Sequence, residues 1–256
     1  MTPVSVEELG KHFPAKEGQV RAVDGLSFSV RSGEIFGLLG PNGAGKTTTL
    51  RILAGLISPS SGRAMIYGYD VASHPEEVRA RLGFLATETG LYERLSPWET
   101  LSFFARIFGL SMREGTERAE ALLRRLELWP LRNRRVGTLS VGERQKLSFA
   151  RCLVHDPPLL ILDEPTAGLD VFVARTAVDL ISELARAGKT VVVSTHDMHL
   201  AERLCERVGI IHRGKLATVG GPQELRDELG GEDLADVFFR AVEREGLSLE
   251  GTNGVR

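Results

Sequence analysis

Short apolar stretches dominate the first part of the chain. Residues 26–30 alternate between apolar and polar side chains, which is the period of a strand exposed on one face. Residues 35–39 are almost continuously apolar, and this predicts a strand buried on both faces. A helix is expected over residues 46–56 and another strand over residues 64–67. This region therefore combines antiparallel strands with one strand–loop–helix unit.

In the middle of the chain, apolar residues are spaced as in helices. Ser96 and Glu99 match the capping box, in which each side chain bonds the other's backbone at a helix start. Apolar residues recur at helical spacing over residues 101–108, and a second helix is expected over residues 113–128. Residues 88–155 are therefore predicted to form a mostly helical lobe inserted into an α/β domain.

Strands and helices alternate after this lobe. The expected elements are a strand at residues 159–162, a helix at residues 171–187, a strand at residues 190–194, a helix ending near residue 205, two strands joined at Arg213 and Gly214, and a tail helix at residues 234–244. Such alternation implies parallel pairing in a layered sheet. The sequence as a whole is thus expected to fold as an α/β protein.

Composition limits the classes of function. The chain has 256 residues, 42% of them hydrophobic and 26% charged, which is typical of a folded protein with a substantial core. Its formal net charge of -2 offers no bulk attraction to nucleic acid. No apolar run approaches the roughly 20 residues of a membrane-spanning helix, and the first residues lack a signal-peptide pattern. We therefore expect a cytosolic chain, with Cys152 and Cys205 as buried free thiols.

The strongest chemical motif joins the predicted strand at residues 35–39 to the following helix. It matches the phosphate-loop pattern G-x-x-x-x-G-K-[ST]. Glycines let backbone N–H groups converge on phosphate oxygens, and the helix start adds further donors. Lys46 would place a cation between the β- and γ-phosphates, for binding and catalysis, and Thr47 would offer a hydroxyl to Mg²⁺. The predicted nucleotide-binding residues are Gly40, Pro41, Asn42, Gly43, Ala44, Gly45, Lys46, Thr47 and Thr48.

Two acids follow the buried strand predicted at residues 159–162. The carboxyl ends of parallel strands meet at one edge of a sheet, where the phosphate loop also lies. Asp163 is therefore predicted to hold Mg²⁺, and Glu164 to act as general base or to orient the attacking water. The alternative for Glu164, a cap on the following turn, is disfavoured by the phosphate loop upstream.

A second helix start offers a second anion site. Ser140 stands at the predicted N-cap of a helix over residues 141–154, where unpaired N–H groups attract phosphate. One chain then carries two phosphate-binding elements. Two copies packed head to tail would let each supply this helix end to the nucleotide of the other, which predicts a two-fold dimer.

The ordered motifs resemble those of the ATP-binding cassette (ABC) ATPases over about residues 3–220. They are the phosphate loop and residues 139–145, 163–164, 167–170 and 194–197. The resemblance implies ATP and Mg²⁺ as cofactors and an α/β P-loop NTPase fold with a RecA-like core, an antiparallel β subdomain and an inserted helical subdomain. It assigns residues 1–87 and 156–220 to the core and the antiparallel subdomain, residues 88–155 to the helical subdomain, and residues 221–256 to a short C-terminal extension.

The same resemblance assigns further site residues. Ser140 and Gly142 belong to the segment that meets the partner's ATP. Asp170 lies in the loop that touches the dimer partner, and His196 reaches the γ-phosphate as part of the catalytic set. Phe13 resembles the aromatic residue that stacks on adenine in this family.

Two positions depart from the family pattern. Where the family usually has Ser-Gly-Gly-Gln, this chain has Val141 and Glu143 in the segment that starts with Ser140. Glu143 can form a capping box with Ser140, and we favour this interpretation over contact between Glu143 and the partner's nucleotide. Thr87, beside Glu88, stands where the family has a glutamine that senses Mg²⁺. A threonine there still binds a metal-bound water, with a shorter reach.

Residues 87–92 resemble the subgroup that serves sodium-extrusion and drug- or lipid-export systems. This implies a homodimer, or a paired ABC ATPase, bound to a separate transmembrane permease at the cytoplasmic face of the cell membrane. Tyr92, Leu95 and Trp98 are the predicted contact surface for the permease, and burial of Trp98 within the lobe is equally consistent with the sequence. Export is expected over import because the tail beyond residue 220 is short for the regulatory domain of many importer ATPases.

Two other classes of function stand beside this hypothesis. The first is a soluble cassette ATPase that acts on DNA or ribosomes. Lys46 and Asp163 are too close in sequence to accommodate the long coiled coils of DNA-acting relatives, and ribosome-acting relatives usually carry two cassettes. No nucleic-acid partner is therefore expected. The second class, a non-catalytic cassette, is disfavoured by the intact set of catalytic and metal-binding residues.

Overall fold

The computed structural model of the protein describes residues 2–15, 18–87 and 90–246. Its elements are β1 (Val4–Pro14), β2 (Gln19–Val30), β3 (Ile35–Leu39), α1 (Lys46–Leu53), β4 (Ser61–Ile66), β5 (Tyr69–Asp70), α2 (Pro75–Ala80), β6 (Leu82–Leu85), α3 (Pro97–Ile107), α4 (Met112–Arg125), α5 (Val141–Leu153), β7 (Leu159–Asp163), α6 (Val171–Arg186), β8 (Thr190–Thr195), α7 (Met198–Leu204), β9 (Arg207–His212), β10 (Lys215–Gly220), α8 (Pro222–Leu229) and α9 (Leu234–Arg244). The described strands form two sheets.

One sheet is antiparallel, with strand order β2-β1-β4-β5. Its apolar residues alternate with polar ones, so that one face packs against the core and the other meets solvent. Phe28 of β2 stacks on Phe36 of β3, with ring centroids 5.3 Å apart, and this contact joins the antiparallel sheet to the second sheet. The predicted strand at residues 26–30 is confirmed as the last part of β2.

The second sheet has the strand order β10-β9-β3-β8-β7-β6, and only the β10–β9 pair is antiparallel. Neighbouring residues of β3 contribute to two different apolar cores: Phe36 and Leu38 to one, Ile35 and Leu39 to the other. A strand buried on both faces is what its continuous apolar run predicts. The parallel pairing places the carboxyl ends of β3, β7 and β8 side by side, with Leu39 opposite Thr195 and Asp163 opposite Ser194.

Helices α3, α4 and α5 pack on one another within residues 88–155, where the helical lobe is predicted. The capping box of Ser96 and Glu99 is confirmed at the start of α3. Trp98 is half-buried, and its ring meets Trp129 edge to face at 6.1 Å. Trp98 therefore belongs to the packing of the lobe.

Two predicted helices end earlier than expected. The helix expected over residues 46–56 stops at Leu53, because Gly55 adopts a positive φ of 63° and its N–H bonds back to Ile52. The helix expected over residues 113–128 stops at Arg125, since Glu127 turns the backbone in the same way at a φ of 61°.

Strand β1, the short elements around residues 69–85 and helix α8 were not predicted, whereas the tail helix α9 was. Cys152 and Cys205 are buried free thiols, as expected, and burial raises their pKa values to about 11 and about 12. Within the described ranges, no helix combines the length and apolarity needed to cross a bilayer.

Candidate nucleotide-binding site

The loop between β3 and α1 has a shape that requires glycine at two positions. A Cβ atom at Gly40 would lie 2.2 Å from the carbonyl oxygen of Ile211. At Gly45, where φ is 106°, it would lie 2.3 Å from the carbonyl oxygen of Ala22. Gly45 is also the N-cap of α1, and without a side chain it leaves the first N–H groups of the helix uncovered. The loop therefore presents backbone donors and the positive end of a helix to a concave space.

Lys46 reaches back across this loop. Its Nζ donates to the carbonyl oxygens of Gly40, at 2.7 Å, and Pro41, at 3.2 Å. The same nitrogen lies 3.3 Å from Oε1 of Glu164, and the side chain is only 5% exposed. A nearly buried cation therefore lies directly beside the loop, where charge-assisted bonds to a polyphosphate chain can form.

Asp163 is the last residue of β7, and its carboxylate accepts hydrogen bonds from hydroxyl groups on two neighbouring elements. Thr47 Oγ1 donates to its Oδ1 at 3.1 Å, and Ser194 Oγ donates to the same oxygen at 2.5 Å. Thr87 Oγ1 donates to the backbone carbonyl of Asp163 at 3.3 Å. The predicted metal residues are thus brought together, while Glu88, the neighbour of Thr87, lies outside the described residues. Carboxylate and hydroxyl oxygens suit a hard cation such as Mg²⁺.

The carboxylate of Glu164 contacts the side chains of Lys46 and His196. His196 Nδ1 lies 3.0 Å from both carboxylate oxygens, and Lys46 Nζ lies 3.3 Å from Oε1. The backbone of Glu164 has a φ of 48°, which is uncommon for a residue other than glycine. Its N–H donates to both the carbonyl and the hydroxyl oxygen of Ser194, which holds this conformation. The carboxylate is therefore aimed by its neighbours at one place beside the loop.

These elements enclose a cavity of about 510 Å³. The loop forms its floor, Thr87 and Glu164 line it, and Phe13 of β1 also contributes to the lining. The ring of Phe13 is 38% exposed, and Lys11 Nζ lies 5.2 Å from its centroid. An aromatic face beside a phosphate-binding loop suits a nucleotide, whose base and phosphates need these two surfaces.

Four predicted nucleotide-binding residues do not line this cavity: Gly40, whose carbonyl oxygen accepts from Lys46, and three residues at helix starts. Ser140 caps α5 through a reciprocal bond pair with Glu143, so the predicted capping box is confirmed. Gly142 lies close to α6, since a Cβ there would come within 2.9 Å of Val173 Cγ2. Asp170 caps α6 by accepting bonds from the N–H groups at residues 172 and 173. All three stand at helix starts outside their own chain's cavity.

Three contributors to the site have no role assigned from the sequence, although Gln145 and Ser194 lie in the motif segments 139–145 and 194–197. Ser194 holds both Asp163 and Glu164. Gln145 Nε2 donates to the carbonyl of Pro165 at 2.9 Å and links α5 to the loop after Glu164. Ala22 touches the loop from the antiparallel sheet, a contact that no local pattern reveals.

Comparison with known proteins is in accord with this geometry. A family model described as ABC transporter matches residues 23–167. The chain is 39% identical to the ABC transporter ATP-binding protein NatA of Bacillus subtilis over 94% of this chain and 98% of that protein. It is 40% identical to the Nod factor export ATP-binding protein I of Ralstonia nicotianae, over 93% of this chain and 73% of that protein.

A solved structure extends the similarity to the fold. It is the dimeric ATP-binding cassette MJ0796 in a post-hydrolysis state bound to ADP and Pi. The TM-score is 0.79 at 27% identity, over 85% of this chain and 98% of that chain. The expected cassette fold, mixed α/β with an antiparallel sheet, a mostly parallel sheet and packed helices, is confirmed. The chain therefore belongs to the ABC transporter family, as an ATP-binding subunit.

Proposed function

We propose that this chain is the ATP-hydrolysing subunit of an exporter, and that it works as a head-to-tail homodimer. It would bind a separate transmembrane permease at the cytoplasmic face of the membrane. The observation that carries the proposal is the cluster in which Glu164 lies 3.3 Å from Lys46 and 3.0 Å from His196 beside the glycine-rich loop. The name of the relative from Ralstonia nicotianae, a Nod factor export protein, supports export.

Binding uses the loop, the metal residues and Phe13. The uncovered N–H groups of α1 and the Lys46 ammonium attract the β- and γ-phosphates, while Phe13 receives the adenine ring. Thr47 and Asp163 would hold Mg²⁺, and Thr87 would reach it through a water molecule. Mg²⁺ supplies charge neutralisation on the phosphate oxygens when it is bound. Ser194 keeps the Asp163 carboxylate in place by its short hydrogen bond.

Hydrolysis uses Glu164 and His196. The Glu164 carboxylate orients a water molecule for attack on the γ-phosphate and accepts its proton as the new bond forms. His196 fixes the direction of that carboxylate and donates toward the γ-phosphate. Lys46 stabilises the negative charge that shifts to the leaving oxygen. Each of these groups already lies within hydrogen-bond or ion-pair distance of another.

In the proposed dimer, the residues at the starts of α5 and α6 that lie outside the cavity of their own chain would have a function. Ser140, Gly142 and Asp170 would face the nucleotide and the loop of the second copy, which completes each ATP site. The dimeric state of the MJ0796 cassette with ADP and Pi supports this arrangement. Closure on ATP and opening after hydrolysis would then move the helical lobes against each other.

The permease is proposed to dock in a groove between β6 and the helical lobe. This groove has a volume of about 330 Å³ and is lined by aromatic and basic side chains, among them Phe104, Phe108 and Arg151. Tyr92, one of the three predicted contact residues, is 57% exposed and meets Phe103 edge to face. Because Trp98 packs on Trp129, the docking surface is proposed to lie on the groove side of α3.

Glu164→Gln tests the function directly. ATP turnover should fall about 10³-fold, because the amide cannot accept the proton, and ATP should now hold the protein as a stable dimer. Phosphate release and sedimentation measure the two effects. Glu183→Gln is the matched control, since its carboxylate is 64% exposed and pairs with Arg125 away from the cavity. Unchanged turnover in the Glu164 variant would remove the catalytic assignment.

A further inference from the structure

A second cavity, of about 350 Å³, adjoins the nucleotide site. Its walls include Pro41 and Asn42 of the phosphate loop, His196 and Met198 beside β8, and Phe238 and Phe239 of the C-terminal helix α9. The cavity therefore shares three residues with the loop and the candidate catalytic cluster. Its other wall is a segment to which the proposed function gives no role.

Helix α9 is fixed firmly enough to serve as a wall. Asp233 caps its start by accepting a bond from the N–H of Asp236. Phe238 is 7% exposed and meets the ring of His212 edge to face at 6.2 Å, which seats the helix on β9. Phe239, whose ring lies 5.6 Å from that of Phe238, stays 52% exposed at the cavity.

Elsewhere on the surface, two exposed apolar side chains at the start of α6 have the same apolar character as the walls of this cavity. Within the part of the chain that the structure describes, Val171 and Phe172 are the most exposed large apolar side chains, at 82% and 85%. They directly follow Asp170, which accepts hydrogen bonds from the N–H groups of Phe172 and Val173. These two side chains form an apolar projection, which is thus held on the capped first turn of a 16-residue helix. Exposed apolar groups on a rigid element are typical of an interaction surface.

We propose that Phe172 of one copy enters the cavity between the phosphate loop and α9 of a second copy. The inference rests on the proposed head-to-tail dimer, and it names a contact that this dimer would make outside its nucleotides. Phe172 is 85% exposed, so it does not fill the cavity of its own chain. Both partners of the contact continue the proposed interface, because Phe172 follows Asp170 and the cavity borders Asn42 and His196.

Two-fold symmetry makes the contact self-complementary. Each copy offers one projection and one cavity, so the same pair forms twice across the dimer. The phenylalanine ring would pack against apolar and aromatic walls, an arrangement that aromatic pairs favour. The C-terminal extension then becomes part of the ATP-driven dimer contact, and it ties the position of His196 to the presence of the second copy.

Sedimentation of the full chain in the Glu164→Gln background tests the contact with ATP and Mg²⁺ present. Phe172→Ser and Phe239→Ser should each raise the dimer dissociation constant at least tenfold. Met112→Ser is the control, since Met112 is 80% exposed on the helical lobe and should leave the constant unchanged. Phe172 is too exposed to support the fold, so loss of dimerisation in its variant reports on the contact.

Cross-linking of mixed copies locates the contact. One copy carries Phe172→Cys and the other Phe239→Cys, while the native Cys152 and Cys205 are buried at 3% and 6% exposure and stay unreactive. A short thiol cross-linker should join unlike copies with ATP and not without it. ATP-dependent dimers that form without this cross-link and with full affinity in both serine variants would overturn the inference. So would serine variants that dimerise normally yet fail to bind a co-expressed permease. If the Glu164→Gln protein itself stays monomeric with ATP, the proposed function falls first.

Discussion

The two helices that begin at predicted phosphate sites start in opposite ways. Helix α1 starts at Gly45, in a left-handed conformation and with no side chain over its first N–H groups. Helix α5 starts at Ser140, whose hydroxyl accepts from the N–H of Glu143 while Glu143 accepts from the N–H of Ser140. The first site is therefore open to an anion before any ligand arrives, and the second is partly satisfied by its own acid.

The charged groups around the two helix starts also differ. Beside α1 a nearly buried ammonium, that of Lys46, lies close to the loop carbonyls. Beside α5 the first turn carries the carboxylate of Glu143, which opposes a phosphate, and the guanidinium of Arg144, which donates to the carbonyl oxygen of Leu139 and offsets part of that charge. In the proposed dimer, the loop would supply most of the affinity for ATP, and the Ser140 end would add a weaker contact from the second copy.

The largest effect is expected at the open site. Lys46→Met keeps an apolar stem but removes the cation beside the loop, so ATP affinity should fall about 100-fold, or about 2.7 kcal/mol. Titration calorimetry with a non-hydrolysable ATP analogue and Mg²⁺ measures it. Lys215→Met, at an exposed lysine 3.8 Å from Asp24, serves as control. Equal affinities in the two variants would contradict the importance assigned to the loop.

The open site is also the part that the sequence predicts best. Its residues are contiguous, and their spacing follows from how a backbone wraps a phosphate, so pattern alone suffices. Contacts made by tertiary packing are different. Ala22 reaches the loop from another sheet, Gln145 bonds Pro165 across 20 positions, and β6 is a four-residue strand with no distinctive alternation. Such features depend on the assembled fold, which local propensity does not encode.

The second largest effect is expected on stability, at the contact between the helical lobe and β6. His155 follows α5, stacks on Phe108 with ring centroids 3.6 Å apart, and bonds the carbonyl of Leu82 on β6 through Nε2. Burial, the main cause, lowers the pKa of His155 from 6.5 to about 4. The unfolded chain therefore takes up a proton at higher pH than the folded chain. Stability is intact above pH 6.5 and falls as the pH drops toward 4.

The size of this loss can be isolated by substitution. By pH 4 it should reach about 2 kcal/mol, less than the full shift implies because solvent reaches part of the ring. His155→Gln keeps a donor for Leu82 and cannot titrate in this range, so its unfolding free energy should decline less between pH 7 and 4. Urea unfolding at a series of pH values measures the difference. If the unfolding free energies of both proteins declined in parallel with pH, the neutral ring of His155 would not be what stabilises the contact between the lobes.

Ser140→Ala separates the cap of α5 from the second anion site. Loss of the cap should cost about 1 kcal/mol of unfolding free energy, and ATP turnover should fall as the dimer weakens. Ser111→Ala is a matched control, because Ser111 and Glu114 form the same capping box on α4, in the helical lobe. That variant should lose similar stability and keep its turnover. Full turnover in the Ser140 variant would confine Ser140 to a capping role.

The smallest expected effect, and the sharpest for the comparison, is that of Glu143→Gln. Glutamine can keep the bond to the N–H of Ser140, so the cap survives while the negative charge is lost. A phosphate of the second copy's ATP would then meet less repulsion, and ATP-dependent dimerisation should tighten about threefold. The gain should shrink in high salt, where exposed charges are screened. Glu114→Gln, the equivalent change on α4, should have no effect on dimerisation. An equal effect of the two substitutions would mean that general surface charge, and not the Ser140 end, sets the affinity of the dimer.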